Sequence, residues 1–105
     1  IVIRKGFRAA IDSYSAFCEN DHATPTGLGG YLKERGIGAV TLCGLATDFC
    51  VAFSAIDARK HGLEVTVRLE ACRGINLGGS VAYLPGQGGA AFRVTVPLRL
   101  ERLAA

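Results

Sequence analysis

The chain has 105 residues, half of them hydrophobic and one-fifth charged, a globular composition too apolar for a disordered segment. Its formal net charge is only +3, and the basic residues are scattered without an aromatic-interleaved stripe, so no nucleic-acid partner is expected. No apolar run approaches the roughly 20 residues of a membrane-spanning helix, so no membrane partner is expected either.

Residues 1–4, IVIR, read as a short apolar strand. Such mid-fold sequence at the first position, with no methionine anywhere, suggests a chain that begins inside a longer one. "KGFRAAIDSYSAF" follows with no clear period and reads as a structured loop. Thr24, Pro25 and Thr26 then give a helix start, with Leu28, Tyr31, Leu32 and Arg35 at helical spacing and Gly36 as the stop. "IGAVTLCG" is a β-branched run with apolar residues on both faces, the pattern of a central parallel strand in which Cys43 is an inert core residue.

From Asp48 to about His61 the composition turns helical, closed by Gly62, and "LEVTVRL" alternates as a second strand. Helix, strand, helix, strand in this order predicts an α/β fold with a parallel sheet. The last third departs from that pattern. A glycine-dense stretch precedes an alternation of Phe92, Val94, Val96, Leu98 and Leu100 that is interrupted by Pro97.

Ligands of open parallel sheets bind outside the carboxyl ends of the strands. "GLATDFCVAF", residues 44–53, lies at that point. Thr47 or Asp48 can cap the second helix, which leaves Cys50 in its first turn. Free N–H groups and the helix dipole there favour a thiolate, and the same N–H groups can receive the oxyanion formed when it attacks a carbonyl. Against this stands the usual fate of a free cysteine, which is to fill a core as a small hydrophobe. Lys5, directly after the first strand, falls at the same edge if the strands run parallel, and its charge would stabilise the thiolate further. As a strand-end residue it equally suits plain solvent exposure.

Cys18, Cys43, Cys50 and Cys72 have irregular spacing, form no CxxC pair and follow no signal peptide, so reduced thiols in the cytoplasm are expected. Cys18 and His22 make an incomplete metal pair. "GLGG" has no strand before it and does not make a phosphate loop.

"KGFRAAIDSYSAF", then "GLATDFCV", "DARKHG" and "ACRG", resemble the bacterial nicotinamidases of the isochorismatase-like cysteine hydrolase superfamily. The resemblance covers residues 1 to about 80. It implies a three-layer, Rossmann-like α/β/α fold, present here in part and lacking its N-terminal strands. It also implies hydrolysis of nicotinamide to nicotinate and ammonia through a cysteine thioester, a step of NAD salvage. By position, Cys50 is then the nucleophile and Lys5 the triad lysine. The amides of Ala46 and Cys50 form the oxyanion hole after a cis peptide between Leu45 and Ala46, and Leu45, Tyr14 and Phe49 contact the substrate.

The family's triad aspartate, and the aspartate and histidines that hold its divalent, zinc-like ion, lie upstream of the matching segment. His22 and His61 do not match those ligands and receive no role. The resemblance ends in the tail, so the expected division is 1–82 as the C-terminal part of the hydrolase domain and 83–105 as a divergent, poorly packed or frame-shifted end. A chain with half a site is expected to be inactive alone. Nicotinamide is the expected partner, and homo-oligomer formation is left open. Competing readings are an amidohydrolase of the same superfamily acting on a ureido or carbamoyl compound, and a non-catalytic α/β binding module.

Overall fold

The computed structural model describes residues 1–75 in full, together with the backbone of residues 80–83 and 92–95. Helix α1 (Leu28–Glu34) leads to strand β1 (Ala39–Leu45), a π-helical turn (Thr47–Val51), helix α2 (Ala52–Lys60) and strand β2 (Glu64–Arg73). Two short strands follow, β3 (Ser80–Tyr83) and β4 (Phe92–Thr95), paired antiparallel.

Helix α1 starts two residues beyond Thr26, after Gly27. Pro25 does not open it, because Pro25 pairs with Cys18 in an isolated antiparallel bridge. Thr26 still serves the helix: its hydroxyl accepts the Leu28 N–H at 3.2 Å and donates to the Ala16 carbonyl at 2.6 Å. Gly36, at φ 68°, closes α1 as expected, with its N–H on the Lys33 carbonyl and the Ile37 N–H on that of Leu32. A side chain at that φ would be strained, which is why glycine terminates helices in this way.

β1 and β2 run parallel in register from Ala39 opposite Glu64 to Leu42 opposite Val67, then resume with Gly44 opposite Cys72. The four residues 68–71 thus bulge out opposite Cys43 alone. α1, α2 and Phe17 pack on one face of this pair. The cluster of Phe17, Leu32, Ala55, Ala58, Leu63 and Val65 is closed by Val40, Leu42 and Val67. Ala58 is fully buried, and its small side chain lets α2 approach the sheet.

Two further expectations are corrected. Residues 1–4 form no strand: among the described residues no neighbour pairs with them, and Ile1 and Val2 lie exposed. Nor is Cys43 a core residue. It points, with Ala39, Thr41 and Leu45, to the face of β1 that no described helix covers, and is exposed. An apolar run records the capacity to be buried on both faces, whereas burial needs a second layer. The packing of the tail 83–105, Pro97 included, lies outside the described residues.

Candidate active site

Beyond β1 the chain turns sharply. Gly44 takes φ 119°, open to glycine and costly for other residues, and the Leu45–Ala46 peptide is cis. The Ala46 carbonyl then accepts the N–H groups of both Phe49, at 3.1 Å, and Val51, at 3.0 Å. The second of these bonds spans five residues, which widens the turn into a π-helical one before α2 begins. Cys50 stands in this turn, half-buried.

The cap differs from expectation. Ala46 occupies the N-cap position, and neither Thr47 nor Asp48 caps the turn with its side chain. Asp48 is buried and turned the other way, its carboxylate accepting the Ile75 N–H at 3.0 Å. It thereby ties the Cys50 turn to the chain leaving β2, an attachment that local sequence reading could not provide because its partner is 27 residues away.

Lys5 reaches Cys50 from the opposite end of the segment. Its ammonium donates to the Ser13 carbonyl at 2.9 Å and approaches the Cys50 Sγ at 3.4 Å. That contact brings a thiol and a cation together from positions 45 residues apart. Among the described residues no carboxylate pairs with this lysine. The Ser13 carbonyl was not a sequence candidate, since a backbone acceptor leaves no mark in the residue type.

Tyr14, Phe49 and Phe53 gather beside this pair. The Tyr14 ring meets Phe49 edge-on at 5.5 Å and stacks on Phe53 at 5.8 Å, while Phe49 is buried against Ala46. Burial raises the Tyr14 phenol above its usual range, and the negative charges of Asp12 and Cys50 add to the effect. Leu45, by contrast, is 73% exposed. Phe53 was missed; its signal was the four-residue spacing from Phe49, which places both rings on one face.

Tyr14 and Phe53 also border a cavity of about 170 Å³ together with Cys18, Glu19, Asn20 and Asp57. Glu19 is buried with neither carboxylate oxygen hydrogen-bonded, and the guanidinium of Arg8 lies 3.6 Å away. A larger hollow of about 550 Å³ lies at the opposite edge of the sheet, between Gly29, Gly38, His61 and Leu63, and holds no cysteine. His61 stacks on Phe17 at 5.1 Å, so its role is packing. His22 lies in an exposed loop.

The Cys18 thiol is pushed up from 9.0 to about 11, first by burial, then by its hydrogen bond to Asp57 at 3.2 Å and by that carboxylate's charge. Two units correspond to about a hundredfold less thiolate. Cys18 should therefore alkylate about a hundredfold more slowly than an ordinary thiol at mildly alkaline pH, measured by mass spectrometry of each cysteine peptide. Because the folded form holds this proton more tightly, the stabilisation is fully present below pH 9.0 and fades as pH rises through about 11. Modification of Cys18 as fast as Cys43 would contradict the Asp57 contact.

The divalent ion implied by the resemblance does not fit the residues present. Among the described residues no three of His, Cys, Asp and Glu converge to hold a metal.

An isochorismatase-domain family model matches residues 12–84. The nicotinamidase of Acinetobacter baylyi is 58% identical over 83 residues, 79% of this chain and 39% of that protein. Escherichia coli nicotinamidase is 41% identical over 76 residues, 72% of this chain and 36% of that protein. The chain thus spans about two-fifths of the length of the curated relatives it matches. Among solved structures, an Acinetobacter baumanii nicotinamidase superposes with a TM-score of 0.70 at 64% identity, covering 71% of this chain and 36% of that one. PnC1 from L. infantum, solved in complex with nicotinate, gives 0.70 at 44%, covering 73% and 38%.

Proposed function

The chain belongs to the isochorismatase-domain family, and on that premise we propose that it carries the nucleophilic part of a nicotinamidase site, for the hydrolysis of nicotinamide to nicotinate and ammonia. The observation that carries this reading is the 3.4 Å approach of the Lys5 ammonium to the Cys50 sulfur at the carboxyl end of β1.

In the proposed reaction the Cys50 thiolate attacks the carboxamide carbon, and the carbonyl π pair moves to oxygen. The amides of Ala46 and Cys50 are assigned to that oxyanion. Collapse forms a thioester and expels the nitrogen, which leaves as ammonia after taking a proton from solvent water. Water then adds to the thioester and releases the carboxylate and the thiol. The Lys5 ammonium, 3.4 Å from the sulfur, is assigned to steady the charge that the sulfur carries in the attack. Tyr14 and Phe49 offer ring faces and edges to a flat heteroaromatic amide. Leu45, largely exposed in this chain, is assigned a peripheral contact with the substrate.

No step is assigned to a metal ion, and no described carboxylate is placed to take the thiol proton, so the 105-residue chain alone is proposed to be inactive on nicotinamide. Ammonia release that disappears in Cys50→Ala would refute the inactivity while supporting the nucleophile. A single-step trap tests the site itself: pyridine-3-carbaldehyde, the aldehyde counterpart of nicotinamide, should add to Cys50 as a thiohemiacetal. NMR of the aldehyde carbon should show the adduct in the unmodified chain and none in Cys50→Ala. A chain that binds no aldehyde at Cys50, or binds benzaldehyde and butanal equally well, would favour the ureido or carbamoyl amidohydrolase reading or the binding module. The reading also places the protein in the cytoplasm, within pyridine nucleotide salvage.

A further inference from the structure

Phe53 and Phe49 are one turn apart across the junction of the π-helical turn and α2, and the Tyr14 ring lies against both. The backbone on either side of Tyr14 is fixed by polar contacts. Asn20 accepts the Tyr14 N–H at 3.1 Å, and the buried Ser54 hydroxyl, next to Phe53, accepts the Ala16 N–H at 2.8 Å. These bonds set where the Cα of Tyr14 lies, but not how its side chain is rotated, since staggered rotamers remain open about χ1. The choice among them falls to the rings it touches. Phe49 is itself buried against Ala46 and touches Tyr14 only at an edge, 70° from parallel. Phe53 lies 30° from parallel and offers its face.

We propose that Phe53 is a positioning residue: its ring seats the Tyr14 side chain in the rotamer that presents it beside the Lys5–Cys50 pair. An offset aromatic pair favours the seated rotamer by about two- to tenfold. Phe53 therefore acts through Tyr14 and need not touch the substrate. What Tyr14 contacts in a substrate rests on the proposed function; its seating by Phe53 does not, and the test below is independent of that function.

The test is NMR of the 105-residue chain with ring-labelled tyrosine. The chain has three tyrosines, and the Tyr14 resonances are assigned by loss of signal in Tyr14→Phe. In the unmutated chain, ring-to-ring Overhauser contacts between Tyr14 and Phe53 and a ring-current displacement of the Tyr14 signals are expected. Phe53→Leu, which keeps an apolar side chain without a ring, should collapse that displacement. The phenol should then titrate closer to the ordinary 10.0, as the ring leaves its half-buried site. Phe53→Trp, which restores an aromatic face, should restore both. A residue that only fills space would change the unfolding midpoint and leave the Tyr14 signals of the folded chain in place; that result overturns the proposal. Absence of Tyr14–Phe53 contacts in the unmutated chain overturns it as well, and this measurement stands even where Phe53→Leu fails to fold. Failure of pyridine-3-carbaldehyde to form an adduct would count against the nicotinamidase reading and leave the seating of Tyr14 to these signals.

Discussion

Replacing Lys5 by methionine should slow alkylation of Cys50 by about two- to fivefold, the scale of an exposed ionic contact, with the exposed Cys43 as internal reference. The argument is electrostatic. A cation within about 4–6 Å of a thiol favours the thiolate, and iodoacetamide reacts with the thiolate alone. The Lys5–Cys50 contact is exposed and shares its ammonium with the Ser13 carbonyl, so solvent screening keeps the effect modest. Methionine keeps the reach and the apolar stem while removing the charge, which limits any loss from packing. Lys5→Arg should recover part of the rate, and added salt should narrow the gap between wild type and Lys5→Met by screening the pair. Equal Cys50 rates in the two proteins would remove the lysine from the site, whatever the distance between them.

Phe17→Ala should cost about 3–5 kcal/mol, measured by urea denaturation followed by circular dichroism. Phe17 is 2% exposed, packs among Leu32, Ala55, Ala58 and Val65, and stacks on His61. Truncation leaves a cavity between three segments that cannot close on it independently, because the Ser54–Ala16 and Thr26–Ala16 bonds pin the loop at the residue before Phe17. Small domains have only about 5–15 kcal/mol in total, so a chain whose described helices cover one sheet face should be largely unfolded by this change. Phe17→Leu, which fills most of the volume, should cost much less. A loss under about 1 kcal/mol for the alanine variant would mean that the loop is not part of the core. Since Tyr14 is carried on the same loop, Phe17→Ala should also weaken aldehyde capture at Cys50.

Local order and the type of the elements were legible because they depend on short-range chemistry. The helical spacing of Leu28 and Leu32, the stop at Gly36, the β-branched run of β1 and the alternation of Val65 and Val67 each act within a few residues. The place of Cys50 at the strand end, and the resemblance carried by "DSYSAF" and "GLATDFCV", lie in contiguous residues and were legible for the same reason.

What depends on partners distant in the chain had to wait for the fold. The wide turn at Cys50 arises from two N–H groups sharing the Ala46 carbonyl, and Asp48 leaves its capping position for an N–H beyond β2. Cys43 and Cys50 are seven residues apart, yet Cys43 is exposed on the face of β1 that no described helix covers and Cys50 is half-buried in the turn beyond it. Lys5 was nominated by its place after a strand that does not form; its ammonium nevertheless reaches Cys50, because the loop doubles back and the Ser13 carbonyl anchors it. Sequence by itself determined the residue chemistry and the periodicity of this protein. Only the tertiary structure decided which of those groups meet, because long-range contacts are selected by packing and backbone hydrogen bonding that no single residue type encodes.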